Sequence, residues 1–379
     1  MATQPSKNIN STSLDPKCIA STGDSFSKSV LKCHAALDSI AQEHDRYNSS
    51  ESNLFRGAQF SSDGTTIVTH SEDQSLRTFL LPTSLLKEIE QPHALKAYSS
   101  LPSPSPIQSY AIYPAFKLED PSTTVVLSAA KDLPISLNNV LDYETVHATY
   151  PLTHKLTEAL ISPSSLQWTS SGTHFIAGSK DRISIFDASR TSADPVIFHQ
   201  TAPGRLGRHL HTARSEGGCR GIVNALSVSR DGVLAAGTLQ RQVALYSNEG
   251  SGECVTSFSV ATQPSDGDTV KGTGITQLAW SPDGTYLLIA ERQGDCIQVY
   301  DVRNLLKRVS VLNDRKASTT QRLGMDVLHT AGGYEVWAAG TDGYVRMWSH
   351  AGAKEGKQES DAAFKAHNGM SSGHFRGEY

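Results

Sequence analysis

An all-β ring of small sheets is the fold class this chain predicts, on three observations. The run Phe60-Ser61-Ser62-Asp63-Gly64, then Thr66-Ile67-Val68-Thr69, Ser71-Glu72-Asp73 and Leu76-Arg77-Thr78-Phe79, returns with its order and spacing kept at 166–186, 225–246, 278–300 and 325–348. Tight-turn pairs punctuate the copies at Asp63-Gly64, Ser171-Gly172, Asp231-Gly232, Asp283-Gly284 and Gly332-Gly333, which are hairpin signals. Period-2 alternation of apolar residues takes over from Leu54 onward, as half-buried strands require. Each copy therefore reads as a strand, a turn, a small-residue strand, a polar turn and a third strand. Sheets of this kind bury their faces only against neighbours, so a β-propeller of four-stranded blades is the stable arrangement.

Residues 1–52 are rich in Ser, Thr, Asn and Lys and poor in aromatics, so they are expected to be disordered, with a short helix where Val30, Leu37, Ile40 and Ala41 share a face. Residues 53–350 hold blades one to six. A less regular second copy places strands at 109–116, 123–128 and 134–138 around a turn at Lys131-Asp132. Turn glycines at 172, 232 and 284 stand 60 and 52 residues apart, longer than the ~40 to 45 of a minimal repeat, and the excess falls in loops. Residues 351–379 form a tail: 362–366 supplies the outer strand of blade six, His367-Asn368-Gly369 a turn, and 370–375 the start of a seventh inner strand. The expected design is seven-bladed with the last blade incomplete and six blades clear. Completion by strands from before Leu54, a six-bladed ring, and a chain shortened relative to its relatives stay open.

Length alone suggests two or three domains, but one repeat filling most of 379 residues argues for a single toroid. The formal net charge of -4 means that any basic surface is local. Five cysteines, odd in number and without a CxxC pair, fit reduced thiols. The polar start at residues 1–10 is not a signal peptide, and no apolar run approaches the ~20 residues of a membrane helix. A soluble intracellular protein is the expectation.

In a propeller, the turns between second and third strands and the connections between blades open onto the same face. The turns carry Lys131, Lys180 with Arg182, Arg241 and Arg292; the connections carry Arg56, Arg220, Lys271 and Arg322; the longest connection, 202–221, adds Arg205, Arg208, His209, His211 and Arg214. A local basic rim is what backbone recognition of a single-stranded RNA loop requires. Ordinary solvated turns are the competing reading, because Glu72, Asp73, Asp132, Asp181, Glu291, Asp295 and Asp342 share the rim. Of these, Asp132, Asp181 and Asp342 read as structural turn residues. His209 and His211 with Cys219 fall short of a tetrahedral ligand set, so no metal and no cofactor are expected. Trp168, Trp280, Trp337 and Trp348 fall at blade-core positions. No GxSxG elbow, P-loop, HExxH helix or dinucleotide loop is present, and the inner strands read as small and apolar, so catalysis is not expected.

Three stretches go beyond the generic repeat: Asn53-Leu54-Phe55-Arg56-Gly57 leading to Leu76-Arg77 and Leu81-Pro82; Lys131-Asp132-Leu133-Pro134-Ile135; and Thr319-Thr320-Gln321-Arg322. With these, the chain resembles the WD-repeat family that contains the telomerase Cajal body protein. The Trp-Asp dipeptide of such repeats stands here as Phe186-Asp187 and Tyr300-Asp301, with Asn138-Asn139 in blade two. The resemblance implies a non-enzymatic, monomeric carrier of box H/ACA, small Cajal body, telomerase-type or small nuclear RNAs. It also implies ribonucleoprotein partners, no DNA or membrane, and residence in the nucleus, in nuclear bodies or shared with the cytoplasm. The alternative is a WD-repeat protein-interaction scaffold, associated with the spliceosome or small nuclear ribonucleoproteins, without direct RNA contact.

Overall fold

The computed structural model describes residues 16–23, 53–87, 90–154, 156–202, 219–261, 270–304 and 307–366. Six antiparallel sheets form, each a blade built in chain order from the inner to the outer strand. Blade one is Phe55–Phe60, Thr66–Ser71, Ser75–Leu80 and Ser99–Pro102; blade two is Ile107–Ile112, Val125–Ala130, Ile135–Asn139 and Val146–Tyr150. Blade three is Ser165–Trp168, His174–Ser179, Arg182–Asp187 and Ile197–Gln200; blade four is Val223–Val228, Leu234–Thr238, Gln242–Tyr246 and Cys254–Ser259. Blade five is Ile275–Trp280, Tyr286–Glu291, Ile297–Asp301 and Lys307–Leu312; blade six is Met325–Thr330, Gly333–Ala339, Tyr344–Ser349 and Ala362–Lys365. The inner strands of all six line one central channel of about 880 Å³.

The outer strand of blade six lies where the sequence puts it, while 367–379 and the helix expected around Val30–Ile40 fall outside the described residues. Within the N-terminal segment, Ala20–Ser21 pairs in parallel with His93–Ala94. The inner strand of blade two ends at Ile112 rather than running to 116. Pro114 has no amide to donate, and Phe116 instead folds back as a buried plug against Val126 and Val140. A second addition is Gly356–Gln358, which pairs in parallel with Lys307–Leu312 and makes blade five five-stranded.

The first turns repeat atom for atom because the same local side chains build them. In blade one, Asp63 Oδ1 accepts from Ser61 Oγ at 2.6 Å and from the Thr65 amide at 3.1 Å; in blade five, Asp283 Oδ1 accepts from Ser281 Oγ at 2.6 Å and the Thr285 amide at 3.1 Å. Gly64 and Gly284 both sit at φ +70, where a side chain costs energy.

The core is a series of seams between neighbouring blades. Blades two and three meet over aromatics: Phe175 stacks on Phe186 at 5.0 Å, with Tyr150 edge-on to Phe175 at 4.9 Å and Tyr113 edge-on to Trp168 at 5.2 Å. Such geometry adds ~0.5 to 1.5 kcal/mol per pair beyond area burial. The small-residue second strands permit close approach: a Cβ on Gly237 would lie 2.7 Å from Ile275.

Side chains of the inner strands also bond each blade to the next. Gln59 accepts from the Ile112 amide at 3.4 Å; Ser109 and Ser165 hydroxyls donate to the Pro163 and Val223 carbonyls at 3.0 and 2.8 Å. Asn224 Nδ2 donates to Ile275 at 3.1 Å, and Gln277 holds both backbone groups of Met325 at 2.6 and 2.8 Å. The channel wall is therefore more polar than the inner-strand sequences imply.

Candidate nucleic-acid interface

Each turn between second and third strands is hydrogen-bonded, amide to carbonyl, to an adjoining connection: Glu72 to Leu54, Lys131 to Pro106, Asp181 to Gly221, Leu239 to Ile222, Arg292 to Gly274 and Thr341 to Lys316, all at 2.7 to 3.0 Å. Turns and connections thus share one rim at one end of the channel. Every turn places one residue in the left-handed region: Gln74, Asp132, Asp181, Arg241, Gln293 and Gly343 at φ between 53 and 80. Asp and Asn tolerate that conformation best after glycine, which accounts for two of the three turn aspartates. Asp181 also accepts the Gly221 amide at 2.6 Å, whereas Asp132 contributes its own amide, to Ser162 Oγ at 2.9 Å. Asp342 accepts the Tyr344 amide at 3.2 Å and holds Arg346 through Nη2 at 2.6 Å.

The predicted cations divide sharply. Arg241 forms a two-pronged pair with Glu291, Nε to Oε1 at 2.6 Å and Nη2 to Oε2 at 2.9 Å, and donates to the Val270 carbonyl at 3.0 Å. Its side chain is 18% exposed and that of Glu291 2%, so Arg241 clamps blade four to blade five and is not a free surface charge. Arg182 lies over the Phe198 ring at 4.8 Å and donates to the Thr153 carbonyl, and burial lowers its pKa. Arg56 is exposed but paired with Glu72 at 2.6 Å. Two further arginines of the rim, Arg77 and Arg346, are buried on Asp73 and Asp342. Four of the seven rim acids are in this way tied to arginines.

Lys131, Lys180, Arg220 and Lys271 are exposed, and Arg292 is half-buried with its Nε on the Thr320 carbonyl at 3.1 Å. Among the described residues, no carboxylate lies within ion-pair distance of these five or of Arg322. Arg322 reaches over the channel mouth from the connection between blades five and six, and its Nη2 donates to the Ser164 carbonyl at 3.3 Å and to Asn224 Oδ1. It is open to channel solvent, yet the protein around it, and then Arg292, lower its pKa. His70 faces the same mouth and is brought down to about 4 by burial and then by Arg56, so it is neutral there at pH 7.

Arg205, Arg208 and Arg214, with His209 and His211, lie outside the described residues. Cys219 is fully buried, its thiol pushed up to about 12 by burial. Trp168 and Trp348 are core residues, but Trp337 is half-buried on the blade-six face turned away from blade five, beside Phe364 at 6.2 Å. Its position opposite Met347 and Asp326 puts it on the alternate side of the strand from Val336 and Ala338. Sequence phase missed this because a propeller strand has two sheet faces, both of which read as core.

Residues 252–301 match the family model described as WD domain, G-beta repeat. Over 301 residues the chain is 30% identical to guanine nucleotide-binding protein negative regulator 1 of Schizosaccharomyces pombe, covering 78% of this chain and 70% of that protein. It is 26% identical over 314 residues to telomerase Cajal body protein 1 of Rattus norvegicus, covering 81% of this chain and 53% of that one. The chain thus spans about half the length of that relative. A chain in the crystal structure of the mitotic checkpoint complex has the same fold, with a TM-score of 0.52 at 15% identity, covering 78% of this chain and 77% of that one.

Proposed function

Because the chain belongs to the WD-repeat family of fission yeast guanine nucleotide-binding protein negative regulator 1 and telomerase Cajal body protein 1, we propose that it is a non-enzymatic, RNA-binding propeller. It holds small nuclear or small Cajal body RNAs, of box H/ACA or telomerase type, and supports their localisation or ribonucleoprotein assembly in the nucleus. The observation that carries the reading is the separation of charges on the rim. Four acids are occupied by arginines within the fold, while Lys131, Lys180, Arg220, Lys271 and Arg292 stand on the turns and connections of the rim, and Arg322 at the channel mouth, without a carboxylate partner among the described residues. Of the seven rim acids, Asp132, Asp181 and Asp295 stay outside arginine pairs, so these cations outnumber them six to three on a chain of net charge -4, and phosphate contacts dominate affinity for unpaired RNA.

Replacing Arg220, Arg292 and Arg322 together by Glu is expected to abolish binding of a single-stranded RNA without unfolding the ring. Arg241 is left out because it is a clamp. Wild-type affinity in the triple variant overturns the rim as the site. A protein-docking scaffold is the second reading, favoured by Phe198 and Val196, apolar and exposed along the outer edge of blade three. Salt separates the two: RNA affinity falls steeply with salt, by roughly 0.7 log unit per log of salt for each phosphate contact, and docking on an apolar edge does not.

A further inference from the structure

Four inner strands carry a bulge at the same place. In blades one, two, four and five the ladder to the second strand skips one residue, respectively Arg56, Gln108, Asn224 and Thr276. All four line the channel. A bulge takes the extra residue out of the pleat's alternation and re-aims its side chain: here Arg56 turns to Glu72, Asn224 to the Ile275 carbonyl and Thr276 to the Ala290 carbonyl, while Gln108 keeps its carboxamide open to the channel. The ladders of blades three and six run without interruption. Arg322 runs between these two blades, from the connection before blade six to the Ser164 carbonyl just before blade three and the bulge residue Asn224.

We propose that this collar of bulge residues is a nucleotide site, in which Arg322 takes one phosphate and Gln108 meets the edge of the attached base as it enters the channel. The choice of a nucleotide over other phosphate esters rests on the RNA reading above. Arg322 has only neutral acceptors, and Arg292 stands close enough to lower its pKa, so an anion at the mouth relieves two positive charges at once. Of the other charged groups lining the channel, Arg56 and Glu72 pair at 2.6 Å, His70 is neutral, and Asp326 stands at the same depth as the bulge residues, on the sheet face of Trp337. Gln108 is exposed to the channel, with no hydrogen-bond partner for its carboxamide among the described residues. A carboxamide offers a donor and an acceptor side by side, the pattern that base edges present. Below the collar the wall includes half-buried Tyr110 and Leu226, apolar surface for a base. The volume of about 880 Å³ falls in the ~300 to 1,000 Å³ range of small-ligand sites.

Both a free nucleotide and one unstacked nucleotide of a strand supply this chemistry. Isothermal titration of the whole chain with the four nucleoside 5′-monophosphates, the matching nucleosides, inorganic phosphate and a single-stranded RNA decamer tells them apart. At least one monophosphate is expected to bind better than its nucleoside and better than inorganic phosphate. Arg322→Gln is expected to weaken it roughly tenfold or more, as loss of a charged hydrogen bond does. Gln108→Leu is expected to change the order of preference among bases, and Arg303→Gln on the opposite rim to change nothing. No monophosphate binding at millimolar concentration overturns the collar, as does binding that Gln108→Leu leaves untouched for every base; the second arm decides even if Arg322→Gln fails to fold. A decamer that binds while monophosphates do not sinks the collar and leaves the rim standing. Monophosphates that bind while the decamer gains nothing over them support the collar and overturn the rim.

Discussion

The seam between blades four and five and the mouth of the channel lie on one rim, and each is organised by an arginine, with opposite results. At the seam, Arg241 meets a carboxylate that is almost wholly buried and donates to a carbonyl besides. Its Nε and Nη2 donors are both taken up within the fold. At the mouth, Arg322 has a carboxamide oxygen and a carbonyl for company, and its charge is left without a counterpart among the described residues. The two side chains are of one residue type and share one rim, Arg241 in a turn within a blade and Arg322 in a connection between blades. A charge on a rim is available to a ligand only when the fold has not already given it an acid.

That contrast is broken most severely by Arg241→Ala, which leaves the buried Glu291 carboxylate without its cation and with only the Gln298 carboxamide on it, at 2.8 Å. Removing one partner of a buried pair costs about 3 to 5 kcal/mol, to be read from urea unfolding, and a loss below 1 kcal/mol would show that the pair is not a clamp. Next in size is a pH effect at the mouth. The folded pKa of His70 is lowered from 6.5 to about 4, so between those values the unfolded chain binds a proton that the folded chain refuses. Stability then falls as pH drops through that window, by up to roughly 3 kcal/mol at 1.36 kcal/mol per unit. His70→Gln is expected to flatten the slope, and an unchanged pH profile in that variant would remove His70 as its source. Smaller still in stability, Arg322→Gln, which gives up two hydrogen bonds of a charged donor along with the cost of holding that charge, is expected to change unfolding by about 1 to 2 kcal/mol. It is also expected to lower the salt slope for RNA by roughly 0.7. Smallest is Arg56→Ala: its pair with Glu72 is exposed on both sides, and such pairs contribute ~0 to 1 kcal/mol.

What could be read from the chain follows the distance over which each feature is encoded. The turns at Ser61-Asp63-Gly64 and Ser281-Asp283-Gly284 are built within a few residues, so their signals stand together in the sequence and gave the blades their places. The position of the rim was also legible, because strand order alone fixes which turns face the same way. Arg241 and Glu291 are 50 residues apart, in different blades, and nothing local marks one as the partner of the other. The bulge residues were hidden for a related reason: Gln108 is an extra residue only relative to the register of Val125–Ala130. Gln59 and Gln277 likewise read as ordinary alternating polar residues until the neighbouring inner strand stands beside them.

The short strand Gly356–Gln358 belongs by sequence to blade six and by hydrogen bonding to blade five. Peeling the sixth sheet off the fifth therefore means tearing a backbone ladder as well as parting two apolar faces. Under a pull applied at residue 366 the last two sheets should yield as one mechanical unit, with a single force step where independent blades would give two.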